Sequence, residues 1–228
     1  MQLNPTARSD RAFTATEAMI VVVMLMVLAV LAMMWVKDQQ AKSEKAARIR
    51  CVGNLKNLGL AFKVFANDND DKFPFATTNV LAGGNDHTLW LHFQAMSNEC
   101  GSAKILVCPA DRERYHNIKS DFSAGPDGLA SAGNAAVGFA AGLDASDLNS
   151  NSILLLDRNL VTNSWNLRGK VLLAFPGRPP AWDGSQHKLC GNLALSDGSV
   201  QQVTLAGLSN QVAQAGIATN RLLLPLLP

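Results

Sequence analysis

The chain has 228 residues, a net charge of +2 and four cysteines. Charges of both signs are interspersed, which leaves no electropositive footprint for nucleic acid, and the sequence holds no Gly-rich phosphate loop, Walker motif or dinucleotide fingerprint. With an N-terminal apolar run set aside, the remaining length suits one soluble domain with its own core.

Residues 1–12 are polar, with Arg8 and Arg11 against Asp10. Residues 18–36 follow as nineteen positions without a charge, closed by Lys37. As a helix rising 1.5 Å per residue, that run is just long enough to cross a hydrocarbon core of ~30 Å. A secretory signal would have a shorter apolar core and a small-residue cleavage site behind it, so the run reads as an anchor. Glu17 sits at its edge. An acid against a membrane-spanning segment is costly and marks a functional position by default. Thr14 and Glu17 also have the spacing of a capping box, and the two readings are compatible. Lys37, Lys42, Lys45, Arg48 and Arg50 outnumber Arg8 and Arg11, which taken alone places the C-terminal side in the cytoplasm. Asp38 and Glu44 are interleaved with those cations, and the cysteines argue for export.

No proline occurs between Pro5 and Pro74, and Val52, Leu55, Leu58, Phe62 and Phe65 recur at three- and four-residue spacing. This stripe predicts that the helix continues to about Asn67, roughly 80 Å in all. Gly53 and Gly59 are the places for a bend or close packing. Asn67, Asp68, Asn69, Asp70 and Asp71 then end the helix, and Pro74 prevents its resumption. Asp68, Asp70 and Asp71 offer oxygen ligands for calcium, without the Gly and distant Glu of an EF-hand. A polar helix-ending turn accounts for the same residues, and no other metal or cofactor is expected.

Further on, Trp90, Leu91, Phe93 and Met96 predict a short buried helix, and residues 105–109 a strand stopped by Pro109. The Gly- and Ala-rich residues 123–145 read as an irregular surface loop. Residues 152–156 and 171–175 read as strands. Asp197 and Gly198, between residues 192–196 and 199–203, predict a hairpin on a type I′ turn. Residues 205–215 read as a short helix, and the apolar tail 221–228 as packed on the domain. Cys51, Cys100, Cys108 and Cys190 fit no zinc spacing and allow three pairings. Cys100 and Cys108 close the short loop and are the favoured disulfide. His87, His92, His116 and His187 supply imidazoles for a membrane-anchored hydrolase, but no nucleophile elbow or HExxH spacing accompanies them.

The stretch Arg11, Ala12, Phe13 and Glu17 ahead of the apolar run resembles the cleavage and methylation signature of type IV pilins and type II secretion pseudopilins. The leader would be residues 1–12, ending at Ala12 where the family usually has glycine, and the mature chain would begin at Phe13. Cys51, Asn54 and Leu55 ahead of the Asp/Asn turn, Cys108 and Pro109 followed by Asp111, and His187 nine residues before Asp197 and Gly198 resemble a pilin-like group of bacteria. That group often has histidine after the Asp-Gly step, where this chain has Ser199.

The resemblance implies an α+β, pilin-like fold: a long N-terminal helix, membrane-spanning in its first half, packed on a small antiparallel sheet. Residues 13–36 would be the filament-core helix and residues 37–228 a periplasmic or extracellular domain that includes the amphipathic half, 37–67. The implied location is the bacterial inner membrane, single-pass. The implied partners are other pilin or pseudopilin subunits and the prepilin peptidase and methylase that process Ala12/Phe13. Glu17 would set subunit register against the new N-terminal amine, and no catalytic activity of the chain's own is implied. A membrane-tethered binding domain that uses the same export signal without polymerising fits the same residues.

Overall fold

A computed structural model describes residues 14–77, 88–161 and 171–225. The chain divides into two units, Met1–Lys45 and Ala46–Pro228. Helix α1 spans Ala15–Asn67, and its 53 residues begin and end where the apolar run, the capping residues and the Asp/Asn cluster predict.

Within the second unit, α1 buries Cys51, Leu55, Leu58, Phe62, Phe65 and Ala66, the face predicted from their spacing. Its end is a left-handed turn: Asp70 and Asp71 have φ of 55° and 57°, and Asp71 N–H donates to the carbonyl of Ala66 (3.0 Å). Asp and Asn tolerate that conformation better than most residues, which explains the cluster in backbone terms. Gly59 packs beside Gly198, where an added Cβ would make ordinary van der Waals contact, 3.5 Å from the Gly198 Cα.

The domain is α+β, with this helix against one face of a six-stranded sheet whose strands run in the order β4-β8-β1-β2-β6-β7, every pair antiparallel. The strands are β1 (Phe139–Gly142), β2 (Ile153–Asp157), β4 (Val171–Ala174), β6 (Gly191–Leu195), β7 (Val200–Val203) and β8 (Asn220–Leu223); β3 (Leu160–Val161) and β5 (Ala181–Trp182) pair separately. Short helices α2 (Leu89–Ala95), α3 (Ser97–Cys100), α4 (Arg112–Tyr115) and α5 (Leu129–Ala132) lie between α1 and β1 in the chain. Helix α6 (Leu205–Gln214) belongs to the opposite face: Leu208 and Val212 join Ala140, Ile153, Leu156, Leu193, Leu195 and Leu222 in a second apolar cluster. The sheet thus has two buried faces.

Four expectations are corrected. Residues 105–109 are not a strand; Ala103–Leu106 is a 3-10 turn. The carbonyl of its last residue, Leu106, accepts from Gly138 N–H and that of Val107 from the side chain of Asn54, both outside any ladder. Residues 123–145 are not a surface loop throughout, since they contain α5 and the fully buried β1. The Asp197-Gly198 hairpin is present between β6 and β7, but only Gly198 has positive φ (85°). Gly198 N–H donates to the carbonyl of Leu195 and Leu195 N–H to that of Ser199, the pattern of a type I turn with a G1 bulge. Finally, Cys108 bonds Cys51, with Cα atoms 4.8 Å apart, and Cys100 is a free thiol. Cys51 and Cys108 are fully buried in the same core cluster, whereas Cys100 is half-buried at the end of α3. Of the apolar tail, the described residues enter the fold through β8 (Asn220–Leu223), an inner strand between β4 and β1; residues 226–228 lie outside the described residues.

Candidate functional site

Two features stand out: the N-terminal half of α1, and a buried polar knot around the disulfide. At the first, Thr14 and Glu17 form a reciprocal capping box. Thr14 N–H and Oγ1–H donate to Glu17 Oε2 (2.9 and 2.8 Å), and Glu17 N–H donates to Thr14 Oγ1 (3.3 Å). Ala12 and Phe13 lie outside the described residues. Beyond Glu17, the most apolar 18-residue window has a mean hydropathy of 3.0 and none of it is buried. This is one helix long and apolar enough to cross a membrane, as an anchor or as a signal sequence.

The second feature is assembled by a register change. A bulge between Ile153 and Leu155 breaks the alternation of β2, so that Leu154 and Leu155 both join the cluster around α1 while Leu156 joins the other. Asp157, next along, then lies on the α1 side opposite Asn192. Its Oδ2 accepts from Asn192 N–H (2.7 Å) and Nδ2 (2.9 Å). His187 Nε2 stands 3.4 Å from the same Oδ2 and 3.3 Å from Cys108 Sγ. Arg48 of α1 donates from Nη2 to the carbonyl of His187 (2.8 Å), across 139 positions of sequence. Backbone φ of 55° and 62° at Lys188 and Leu189 turns the chain from His187 into β6.

Electrostatics follow from burial. Asp157 is fully buried, which pushes its carboxyl up to about 7, against the opposing pull of the two Asn192 bonds. Burial, with the Arg48 charge second, pushes His187 down to about 4. Each group is driven towards its neutral form, so the close pair is not an ion pair near pH 6. Beside it, Asp111 caps α4 through Arg114 N–H (3.2 Å) and takes a two-pronged contact from Arg158 Nε and Nη2 (2.6 and 2.8 Å). Gln186 Nε2 adds a fourth donor at 3.0 Å. The Cys108-Pro109-x-Asp111 sequence therefore sets a bridge and a cap three residues apart.

His187 is thus joined to Cys108, while Asp197 and Gly198 belong to the hairpin turn, where Asp197 Oδ1 accepts from Ser199 N–H (2.8 Å). The two other described histidines are not brought to this place. His92 stacks edge-on against Phe75 (centroids 5.0 Å apart), His116 lies beside Tyr115 on the surface, and His87 is outside the described residues. Cys108 is bonded, and both it and Asp157 face the same imidazole nitrogen, so the ring does not stand between a nucleophile and an acid as a relay requires. Asp68, Asp70 and Asp71 form the turn after α1; among the described residues, the three-ligand group that converges is Cys51, Cys108 and His187. Sequence reasoning missed Asp157, Arg48, Asn192 and Arg158. One signal was visible: Asp157 and Arg158 end an otherwise aliphatic run at 153–156.

Comparison of the chain with protein-family models, with curated proteins and with solved structures gives no match.

Proposed function

We propose that this chain is a pilin-like subunit of a pilus or pseudopilus-type filament, cut between Ala12 and Phe13 by a prepilin peptidase and methylated on the new amine. The reading is carried by one observation: a single helix whose residues 18–36 are apolar and exposed, and whose C-terminal part packs its buried face into the core of an α+β domain. The first half serves as inner-membrane anchor and then as filament core, with the domain on the periplasmic side. Both Thr14 donors converge on Oε2 of Glu17, which leaves Oε1 as the atom for a cationic partner. In low dielectric an ion pair there is strongly favoured over either charge alone, and it would fix register between subunits.

The capping box supports a second reading. Glu17 already has partners in its own chain, so it has a structural use without any neighbour, as in a membrane-tethered binding domain that does not polymerise. Two measurements separate the possibilities. Mass spectrometry of the mature protein is expected to give a chain beginning at methylated Phe13; an intact Met1 in cells that contain the peptidase sinks the processing. Glu17→Ala is expected to leave the domain's melting unchanged while abolishing incorporation into filaments; normal incorporation removes the register role and leaves the tethered domain.

A further inference from the structure

We propose that Cys51, Cys108, His187 and Asp157 form a buried zinc site in the reduced chain, a state exclusive with the disulfide. Their ligand atoms come from four separate places: α1, the segment after the 3-10 turn, the loop before β6, and the end of β2. The Cys51, Cys108 and His187 atoms lie within 4.8 Å of one another, all buried. Zinc bonds of about 2.0–2.3 Å in a tetrahedron hold ligand atoms about 3.3–3.8 Å apart. The spacings of Cys108 Sγ to His187 Nε2 (3.3 Å) and His187 Nε2 to Asp157 Oδ2 (3.4 Å) already lie in that range. What must change is the sulfur pair, which opens from bonded contact to a tetrahedral edge.

Three further features favour a cation. Asp157 Oδ1 is fully buried without a hydrogen-bond partner, a costly arrangement for a carboxyl. Oδ2, the oxygen that faces His187, is itself oriented by Asn192, the outer-shell support that metal carboxylates require. Two thiolates and a carboxylate leave zinc with one excess negative charge, and Arg48, anchored on the His187 carbonyl, lies close enough to offset it. Every newly made chain begins with both thiols. Zinc binding displaces one proton from each thiol, and that of the Asp157 carboxyl where it is protonated, whereas a disulfide oxidant removes two electrons and two protons from the thiol pair and closes the S–S bond. Either outcome ties α1 to the segment that carries Cys108.

The test uses the full chain in detergent with Cys100→Ser and Cys190→Ser, so that only the two relevant thiols remain. A phosphine reductant, oxidised to its phosphine oxide, opens the disulfide under nitrogen, and cobalt(II) reports the site before zinc displaces it. One equivalent of tetrahedral cobalt with thiolate-to-metal absorption is expected. The oxidised protein should bind none, and Asn192→Ala should weaken binding about 10- to 100-fold. His187→Gln and Asp157→Asn should each change the spectrum, the second retaining the fold if the first does not. No thiolate–cobalt absorption in the reduced chain overturns the proposal. So does a spectrum indifferent to both ligand variants, or a reduced chain whose circular dichroism shows the domain unfolded with metal present. None of these outcomes bears on processing at Phe13, so this inference stands or falls apart from the filament reading.

Discussion

At Asp157 the carboxyl leaves water completely, and its pKa rises from 3.8 to about 7; at His187, 3.4 Å away, it falls from 6.5 to about 4. A carboxyl raised in the folded state favours folding fully below pH 3.8 and loses that contribution as pH climbs through 7. An imidazole lowered in the folded state does the reverse: its contribution is intact above pH 6.5 and is lost as pH falls through 4. Over pH 4–6.5 the two slopes oppose one another, so the oxidised wild type should vary little from this pair. Asp157→Asn removes one slope and keeps an acceptor for Asn192. The stability of the variant relative to wild type is therefore expected to rise by about 4 kcal/mol between pH 4 and 7 and to be flat outside that window. Urea melts of both proteins at pH 4 to 8 measure the difference. Parallel profiles would show that the Asp157 carboxyl ionises in the fold as it does in water.

The Cys51–Cys108 bond joins the helix to a segment 57 positions away. Closing a loop of that size restrains the unfolded chain by about 4 kcal/mol. Cys51→Ser is expected to lower stability by about that much in denaturant titration, while Cys100→Ser should change it by under ~1 kcal/mol; the reverse order would restore the pairing expected from the short loop. That expectation failed because sequence proximity says nothing about which face a thiol occupies. Cys51 shares the stripe of Leu55, Leu58 and Phe62, all fully buried, and the stripe was legible. The partner it would meet was not. The same division runs through the other elements. The end of α1 was legible at Asn67 because apolar period, Asp/Asn turn and Pro74 all agree. Strand β1 was not, because Phe139, Ala140, Ala141 and Gly142 carry no strand signal of their own. They are strand only because β2 and β8, the latter some eighty residues later, supply hydrogen bonds on both sides. The bulge in β2 that aims Asp157 inward is likewise a product of pairing with β6, so the polar knot could not be assembled from sequence even though His187 was singled out.

Across the whole molecule, one helix carries two kinds of surface. From Ala46 onward, α1 is stabilised by core contacts and a disulfide within the second unit, whereas residues 18–36 are about half exposed at most positions, Leu28 at 56%. An apolar surface of this length is unfavourable in water and consistent with a hydrocarbon environment. The two halves should therefore respond independently to substitution. An arginine at the centre of a spanning helix costs about 2.5–3.5 kcal/mol on insertion, so Val27→Arg with Leu28→Arg costs roughly 5–7 kcal/mol, enough to offset the favourable insertion of the remaining apolar residues. The double variant is expected to leave the membrane fraction on carbonate extraction. Its domain should melt at the wild-type temperature, because neither residue belongs to the buried clusters on the two faces of the sheet. Retention in carbonate-washed membranes would show that residues 18–36 are not what holds the chain there. A lowered melting temperature would show that the first half of α1 is covered by its own domain.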